Sequence, residues 1–342
     1  MIRVAVTAAG MVTAVGFNQS SSCAAIRAGI SGIREVNLWD AESGEYLTGG
    51  KVDLPHWWEG VGKLAELVVP AIEECLRKAA GIPRHEIPIL LGVAPPDRPH
   101  RLRHLDEQIL DEVEYRLDLP HHQESRVIAQ GNVSGAHALR QARTLMQRFL
   151  LPACIVCGVD SYLQQNVMEA YMEERRILTP RNSNGFIPGE AGCAVLVEPA
   201  GARHRDELEI LGIGTGRETG TIQSDLPCRG EGITQAVRQA LNESGLTIFD
   251  TAYRMADLNG EHYKFKEAIF AEGRFMNRRY EGFYDLWHPI ECTGEVGAAN
   301  VPCILAVALH ASQKRYAPGD TTLCHFSNDD GDRAALIVRF QR

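Results

Sequence analysis

A chain of 342 residues, 44% hydrophobic and 23% charged, has the make-up of a water-soluble globular protein with a large core. Its formal net charge of −9, with a pI near 5.8, argues against nucleic acid or an anionic membrane as a main partner. No apolar run approaches the roughly 18 residues of a membrane span, and Met1–Val6 leads straight into strand-like sequence rather than a secretory leader, so a cytoplasmic location is expected.

In chain order, the pair Trp57–Trp58 reads as internal packing ahead of an interface anchor. Leu64 to Ala79 carries helical periodicity, with Leu64, Leu67, Val68, Ala71, Ile72, Cys75 and Leu76 on one stripe and Pro70 expected to kink it. A strand follows at Ile87–Val93, then a small-residue helix from about Gly135 and a buried strand at Cys154–Cys157. His137 on that helix reads as a core histidine. Nine cysteines, mostly inside apolar runs, read as buried reduced thiols; Cys154 and Cys157 fall on opposite faces of their strand and cannot act as a pair. Arg101, Arg103, Arg140, Arg143, Arg175 and Arg176 read as solvated charge ahead of a binding patch.

The second half repeats this order. A helix through Ile233, Val237 and Leu241 precedes a strand at Tyr253–Leu258, a small-residue helix at Gly297–Leu305 and a strand at Thr321–Phe326. The small-residue helices start about 162 positions apart, at 135 and 297, and the strands after them about 168 apart, at 154 and 322. Equal order at nearly equal offset predicts a duplicated α/β unit, with halves at 1–200 and 206–342 joined through the polar stretch Pro199–Asp206. Helices rich in Gly and Ala suit a central layer between sheets.

Three blocks together resemble the thiolase superfamily, in its β-ketoacyl-ACP synthase branch: Val4–Gly16, Ser134–Ala138 with Cys157–Ser161, and above all Asn184–Glu198, which is similar to the family's Gly-Phe-x-Pro-Gly-Glu stretch. The resemblance spans nearly the whole chain. It implies a duplicated α-β-α-β-α sandwich, a homodimer joined through sheet edges, and no cofactor. It also implies a cysteine at the head of the first small-residue helix, where the helix dipole favours a thiolate, and two histidines that hold the malonyl thioester carbonyl.

All three positions depart from that pattern. Asn132 stands for the cysteine, Asn259 for the first histidine and Glu295 for the second, while the family's glycine- and phenylalanine-rich closing loop reads Ser327–Asp332. A carboxamide forms no thioester, so the active site is expected to be degenerate and the chain inactive in condensation. Asn132 reads first as a helix N-cap, with ligand recognition by its amide as the alternative. Glu261, Glu295, Asp329, Asp330 and Asp332, with Phe186 and His262 nearby, make either an acidic pocket for a cation, amine or acid–base pair, or plain solvated loop carboxylates. No spacing matches a metal-ligand pattern. Glu190, between turn glycines, reads as architectural.

Three functions compete: an accessory protein that binds a carrier protein or another protein, in one version as an adaptor for type VI secretion cargo; an acyltransferase or condensing enzyme working through His262 with Cys292 or Glu295; and a silent partner subunit of an active ketosynthase.

Overall fold

The computed structural model describes every residue except Met1, Trp57, Ala80, 203–205, 277, 279, 281–282 and Arg342. Trp57 and the middle of the expected 199–206 join therefore lie outside the described residues.

The first half opens on β1 (Val4–Val12), α1 (Gln19–Arg27) and a hairpin of β2 (Ile33–Asp40) with β3 (Glu45–Gly50). Asn18 starts α1, its side chain accepting the Ser21 N–H at 2.9 Å. Next come α2 (Gly60–Lys78), β4 (Ile89–Gly92), α3 (Leu105–Arg116), β5 (Arg126–Ile128), α4 (Ser134–Phe149), β6 (Cys154–Ser161), α5 (Gln165–Glu173) and β7 (Glu190–Pro199). The second half runs β8 (Glu207–Arg217), α6 (Glu231–Ser244), β9 (Tyr253–Ala256), α7 (His262–Phe275), β10 (Leu286–Trp287), α8 (Ile290–Thr293), α9 (Asn300–Gln313), β11 (Thr321–Ser327) and β12 (Asp332–Gln341). Gly245, at φ +70°, closes α6 in the left-handed conformation that suits glycine. No helix among the described residues is long and apolar enough to cross a membrane.

The strands form one ladder in the order β10-β9-β11-β12-β8-β1-β7-β6-β4-β5. Read outward from the middle, the two sides match strand for strand, and they join where β1 and β8 pair antiparallel through Val4–Ile210, Ala5–Glu209 and Val6–Leu208. The expected duplicated α-β-α-β-α sandwich is present, and its two half-sheets are joined by this seam. Each side still presents its inner face to α4 and α9, and side-chain alternation shows it. Cys154 and Val156 of β6 pack in the central core, while Ile155, Cys157 and Val159 pack outward with α2 and α3. In the other half Ala334, Leu336 and Val338 face the centre, and Ala335 and Ile337 face α6.

The resulting layers are α2 with α3, half-sheet, α4 with α9, half-sheet, α6 with α7. Every residue from Asn300 to Ser312 of α9 is buried, which accounts for a helix apolar all round rather than striped. The outer helices approach closely: a Cβ on Gly214 of β8 would sit 1.8 Å from the Ala236 carbonyl of α6, so only glycine fits there. Pro70 lies inside α2 on its exposed face, and the helix runs on through it from Gly60 to Lys78.

Candidate functional site

Both central helices begin the same way. A 3₁₀ turn at Gly131–Val133 leads into α4, another at Gly297–Ala299 leads into α9, and each starts on a glycine at φ +51°. The second N–H of each turn donates to a side chain at the end of a strand in the opposite half. Asn132 N–H reaches Asn328 Oδ1 at 3.3 Å, and Ala298 N–H reaches Asp160 Oδ2 at 3.2 Å. Asn132 therefore does not cap α4, contrary to expectation. Val133 occupies the cap position without a side-chain bond, and the Asn132 amide points into the space between the halves.

There it meets a closed polar network. Asn132 Nδ2 donates to Asp257 Oδ2 at 2.9 Å and to Glu295 Oε1 at 3.3 Å. Glu295 Oε1 also accepts from Gly297 N–H at 2.9 Å and Asn300 Nδ2 at 2.7 Å, while its Oε2 accepts from Asn259 Nδ2 at 3.0 Å. Lys264 Nζ lies 3.0 Å from Asp257 Oδ2 and 3.6 Å from Glu295 Oε2. Burial works against the Lys264 ammonium, but Asp257 first and Glu295 next hold its pKa above the ordinary lysine value. Asp257 also takes the Ser327 N–H at 3.1 Å. Two buried carboxylates thus share one buried ammonium, and neither is left free for an incoming ligand.

A second cluster flanks the first. Arg176 bonds Glu261 through Nε at 2.8 Å and Nη2 at 2.9 Å, and turns its other edge to Asp329 at 2.7 and 3.1 Å. Burial alone would raise the Asp329 carboxyl; the Arg176 guanidinium beside it outweighs that and holds it at about 2. Tyr162, Tyr171 and Phe186 pack together with ring centres 5.2–5.7 Å apart, Phe186 edge-on to both tyrosines and the two tyrosines tilted to each other. Arg98 completes the wall with two bonds to Asp160, at 3.2 and 2.9 Å. The space left beside Asn132 is a cavity of about 30 Å³ lined by Arg98, Tyr162, Tyr171 and Asn328. That is room for roughly one or two waters, far below the ~300–1,000 Å³ of ordinary ligand sites.

The Asn184–Glu190 block braces this site. Glu295 N–H donates to the Ile187 carbonyl at 2.8 Å, and Gly189 N–H donates to the Glu295 carbonyl at 3.0 Å, fixing the segment that carries the carboxylate. Glu190 is fully buried and accepts from Val52 N–H, Ser161 Oγ and Lys63 Nζ, which anchors the block in turn.

Of the expected site residues, Asn132, Asn259 and Glu295 come together in direct contact, Glu261 joins them through the Asn259 amide at 3.0 Å, and Arg176 links Glu261 to Asp329. The others do not. His262 is exposed at the start of α7, with its backbone N–H on Asn184, so it faces away from the network. Cys292 is buried, and burial together with Glu291 and Cys303 pushes its thiol up, the reverse of an activated nucleophile. Asp330 and Asp332 sit half-buried beside Arg217, at 3.8 and 2.6 Å. Glu261 and Glu295 are buried and neutralised from within by Arg176 and Lys264, so neither reading of the acidic pocket describes that pair, whereas Asp330 and Asp332 stay partly exposed beside Arg217. Lys264, Asp257, Arg98 and the role of Arg176 were not singled out in the sequence. A signal existed for Lys264, since Lys264, Glu267 and Ala271 form the buried stripe of α7, and charge on a buried stripe implies buried partners.

No protein-family model matches the chain, and no curated protein is similar to it. Solved structures are. A chain from a type II PKS acyl-carrier protein in complex with its ketosynthase superposes with a TM-score of 0.81 at 16% identity, covering 99% of both chains. The fold is that of the ketosynthases. A chain from a ketosynthase in complex with its chain length factor from Xenorhabdus doucetiae gives 0.75 at 14% identity, covering 99% of this chain and 98% of that one. A β-ketoacyl synthase from Burkholderia phymatum gives 0.75 at 17% identity over 100% of both. The expected thiolase-like fold therefore holds over the full length.

Proposed function

We propose that this chain is a non-condensing ketosynthase-fold protein that acts by binding another protein, with its two halves at 1–200 and 206–342 and with Asn132, Asn259 and Glu295 at the positions of the family's cysteine and two histidines. One observation carries the reading: at the head of α4 both the side-chain amide and the backbone N–H of Asn132 are already spent on Asp257, Glu295 and Asn328. A carboxamide offers no nucleophile for an acyl group. An incoming thioester carbonyl would also find no free donor, because both Asn259 amide bonds go to Glu261 and Glu295. Carboxylates stand where transition-state anionic charge would need stabilisation.

The test is intact-mass spectrometry after incubation with acyl- and malonyl-loaded carrier proteins. The expected result is no acyl adduct and no loss of the malonyl carboxylate. An adduct that disappears in Cys292→Ala would restore the enzymatic alternative and sink this one.

A second reading has the chain as the silent partner of an active ketosynthase, favoured by its likeness to chains from ketosynthase–chain length factor complexes. Copurification separates the partner classes: a ketosynthase subunit, an acyl carrier protein, a second copy joined at the open β5 edge, or secretion cargo of a type VI system. Co-expression with a cognate ketosynthase that yields only homodimers counts against the second reading.

A further inference from the structure

On the outer side of the first half, between the β2–β3 hairpin and the starts of α2 and α5, lies a cleft of about 870 Å³ that shares no lining residue with the cavity beside Asn132. Its volume falls within the ~300–1,000 Å³ typical of small-molecule sites. In a chain of net charge −9, four cationic side chains line it, Lys51, Lys63, Arg101 and Arg103; Lys63 is paired with Glu190 and Arg101 with Asp106, and Glu59 is the carboxylate in the lining.

Two of the cations are fixed by the fold. Lys63 Nζ bonds the buried Glu190 at 2.6 Å, and Arg101 Nε bonds the Ala94 carbonyl at 2.9 Å. The other two, Lys51 and Arg103, are exposed and make no salt bridge among the described residues, although the Lys51 charge acts on the nearby Asp53 carboxylate. The first turns of α2 and α5 open onto the same space without side-chain caps and add partial positive charge to that of the side chains. The lining also holds the apolar Val36, Leu38, Leu102, Leu163 and Met168 and the half-exposed Trp58, beside the polar Asn37, His100, Gln164, Gln165 and Asn166.

We infer that this cleft binds a small organic phosphate, its dianionic head between Lys51 and Arg103 and its apolar or aromatic body against Trp58 and Leu102. A phosphate dianion can engage Lys51 and the guanidinium fork of Arg103 at the same time, more strongly than a monovalent carboxylate does. The inference goes beyond the proposed function and does not depend on it.

Calorimetric titration of the full chain with phenyl phosphate, benzoate and inorganic phosphate tests it. Phenyl phosphate should bind saturably and more tightly than either other probe, and more weakly at high salt. Reversing two exposed charges that contact the head group, in Lys51→Glu/Arg103→Glu, should weaken it by at least about tenfold. Arg148→Glu, in the separate basic groove between α4 and α6, should leave it within about twofold. The milder pair Lys51→Gln/Arg103→Gln should lose binding in the same direction while keeping the parent melting temperature. Absence of saturation, equal or tighter binding of benzoate, or the same loss in Arg148→Glu as in the double variant would each overturn the assignment.

Discussion

Replacing Lys264 by methionine tests whether the site is a neutralised core rather than a pocket. The side chain is 4% exposed, and its ammonium bonds Asp257 Oδ2 and the Asp257 carbonyl and lies 3.6 Å from Glu295. Methionine fills nearly the same space, so the loss is of charge and hydrogen bonds, not volume. Removing one partner of a buried ion pair costs about 3–5 kcal/mol, because the other charge is left without compensation. At roughly 2.1 cal/mol/K per residue, the 342-residue chain has an unfolding entropy of about 0.7 kcal/mol/K, so a loss of about 4 kcal/mol lowers the melting temperature by about 6 °C. The folded-state pKa of Lys264 is raised, so its contribution is complete below the unfolded lysine value near ~10.4 and is lost only as pH rises through the folded value. The gap between parent and variant should therefore stay constant from pH 7 to 9. Urea denaturation followed by circular dichroism measures it. Adding Asp257→Asn removes the stranded charge and should recover more than half the loss. A single variant within 1 kcal/mol of the parent, or a double variant with purely additive losses, would refute the account.

Three further outcomes follow from the same geometry. Asn132→Cys should not gain a reactive thiol: at that position, 5% exposed and between two carboxylates, native protein should take up no more iodoacetamide than the parent, whereas urea-unfolded protein labels fully. Arg176→Gln should flatten the acid limb of stability. Asp329, held at about 2, contributes above the unfolded carboxyl value near ~3.9 and loses that contribution as pH falls toward 2, so the parent's steep decline between pH 4 and 2 should shrink in the variant. Gly158→Ala should cost several kcal/mol, since its Cβ would lie 2.0 Å from the Ala298 carbonyl; thermal melting within 2 °C of the parent would contradict it.

The fold was readable because its signals are periodic and repeated. Gly131 and Gly297 mark two equivalent turns, and β6 and β11 follow them at nearly equal distance. The β1–β8 seam was not readable, since pairing between strands some two hundred positions apart leaves no local pattern. At the site, Asn132, Asn259 and Glu295 stand out because a resemblance supplies their positions. What surrounds them does not, because ion-pair partners are set by tertiary approach: Arg176 meets Glu261 from 85 positions away and Asp329 from 153. His262 drew attention over Lys264 because imidazole suggests chemistry. Two steps along a helix turn the side chain by roughly 200°, so when Lys264 faces inward His262 faces water.

A buried polar network of this kind is a poor route to stability in itself, since apolar filling of equal volume often does as well. Its distinctive property is where its bonds go. Asn132 at the head of α4, Glu295 before α9, Asp257 after β9 and Ser327 at the end of β11 belong to segments from both halves, and each is held by a partner on another segment. Such a network ties the halves together at the place where a working ketosynthase-like pocket would have to open. That makes a distinguishing prediction for amide hydrogen exchange. The N–H groups of Asn132, Gly297, Ala298 and Ser327 all donate to buried side chains, so they should exchange only through global unfolding, with protection tracking the denaturant-measured stability. A site that still admits substrate would expose these amides through a local opening cheaper than unfolding. Exchange of the Asn132 and Gly297 amides that is insensitive to low urea would therefore reveal an openable pocket and defeat the view of the site as a closed lock.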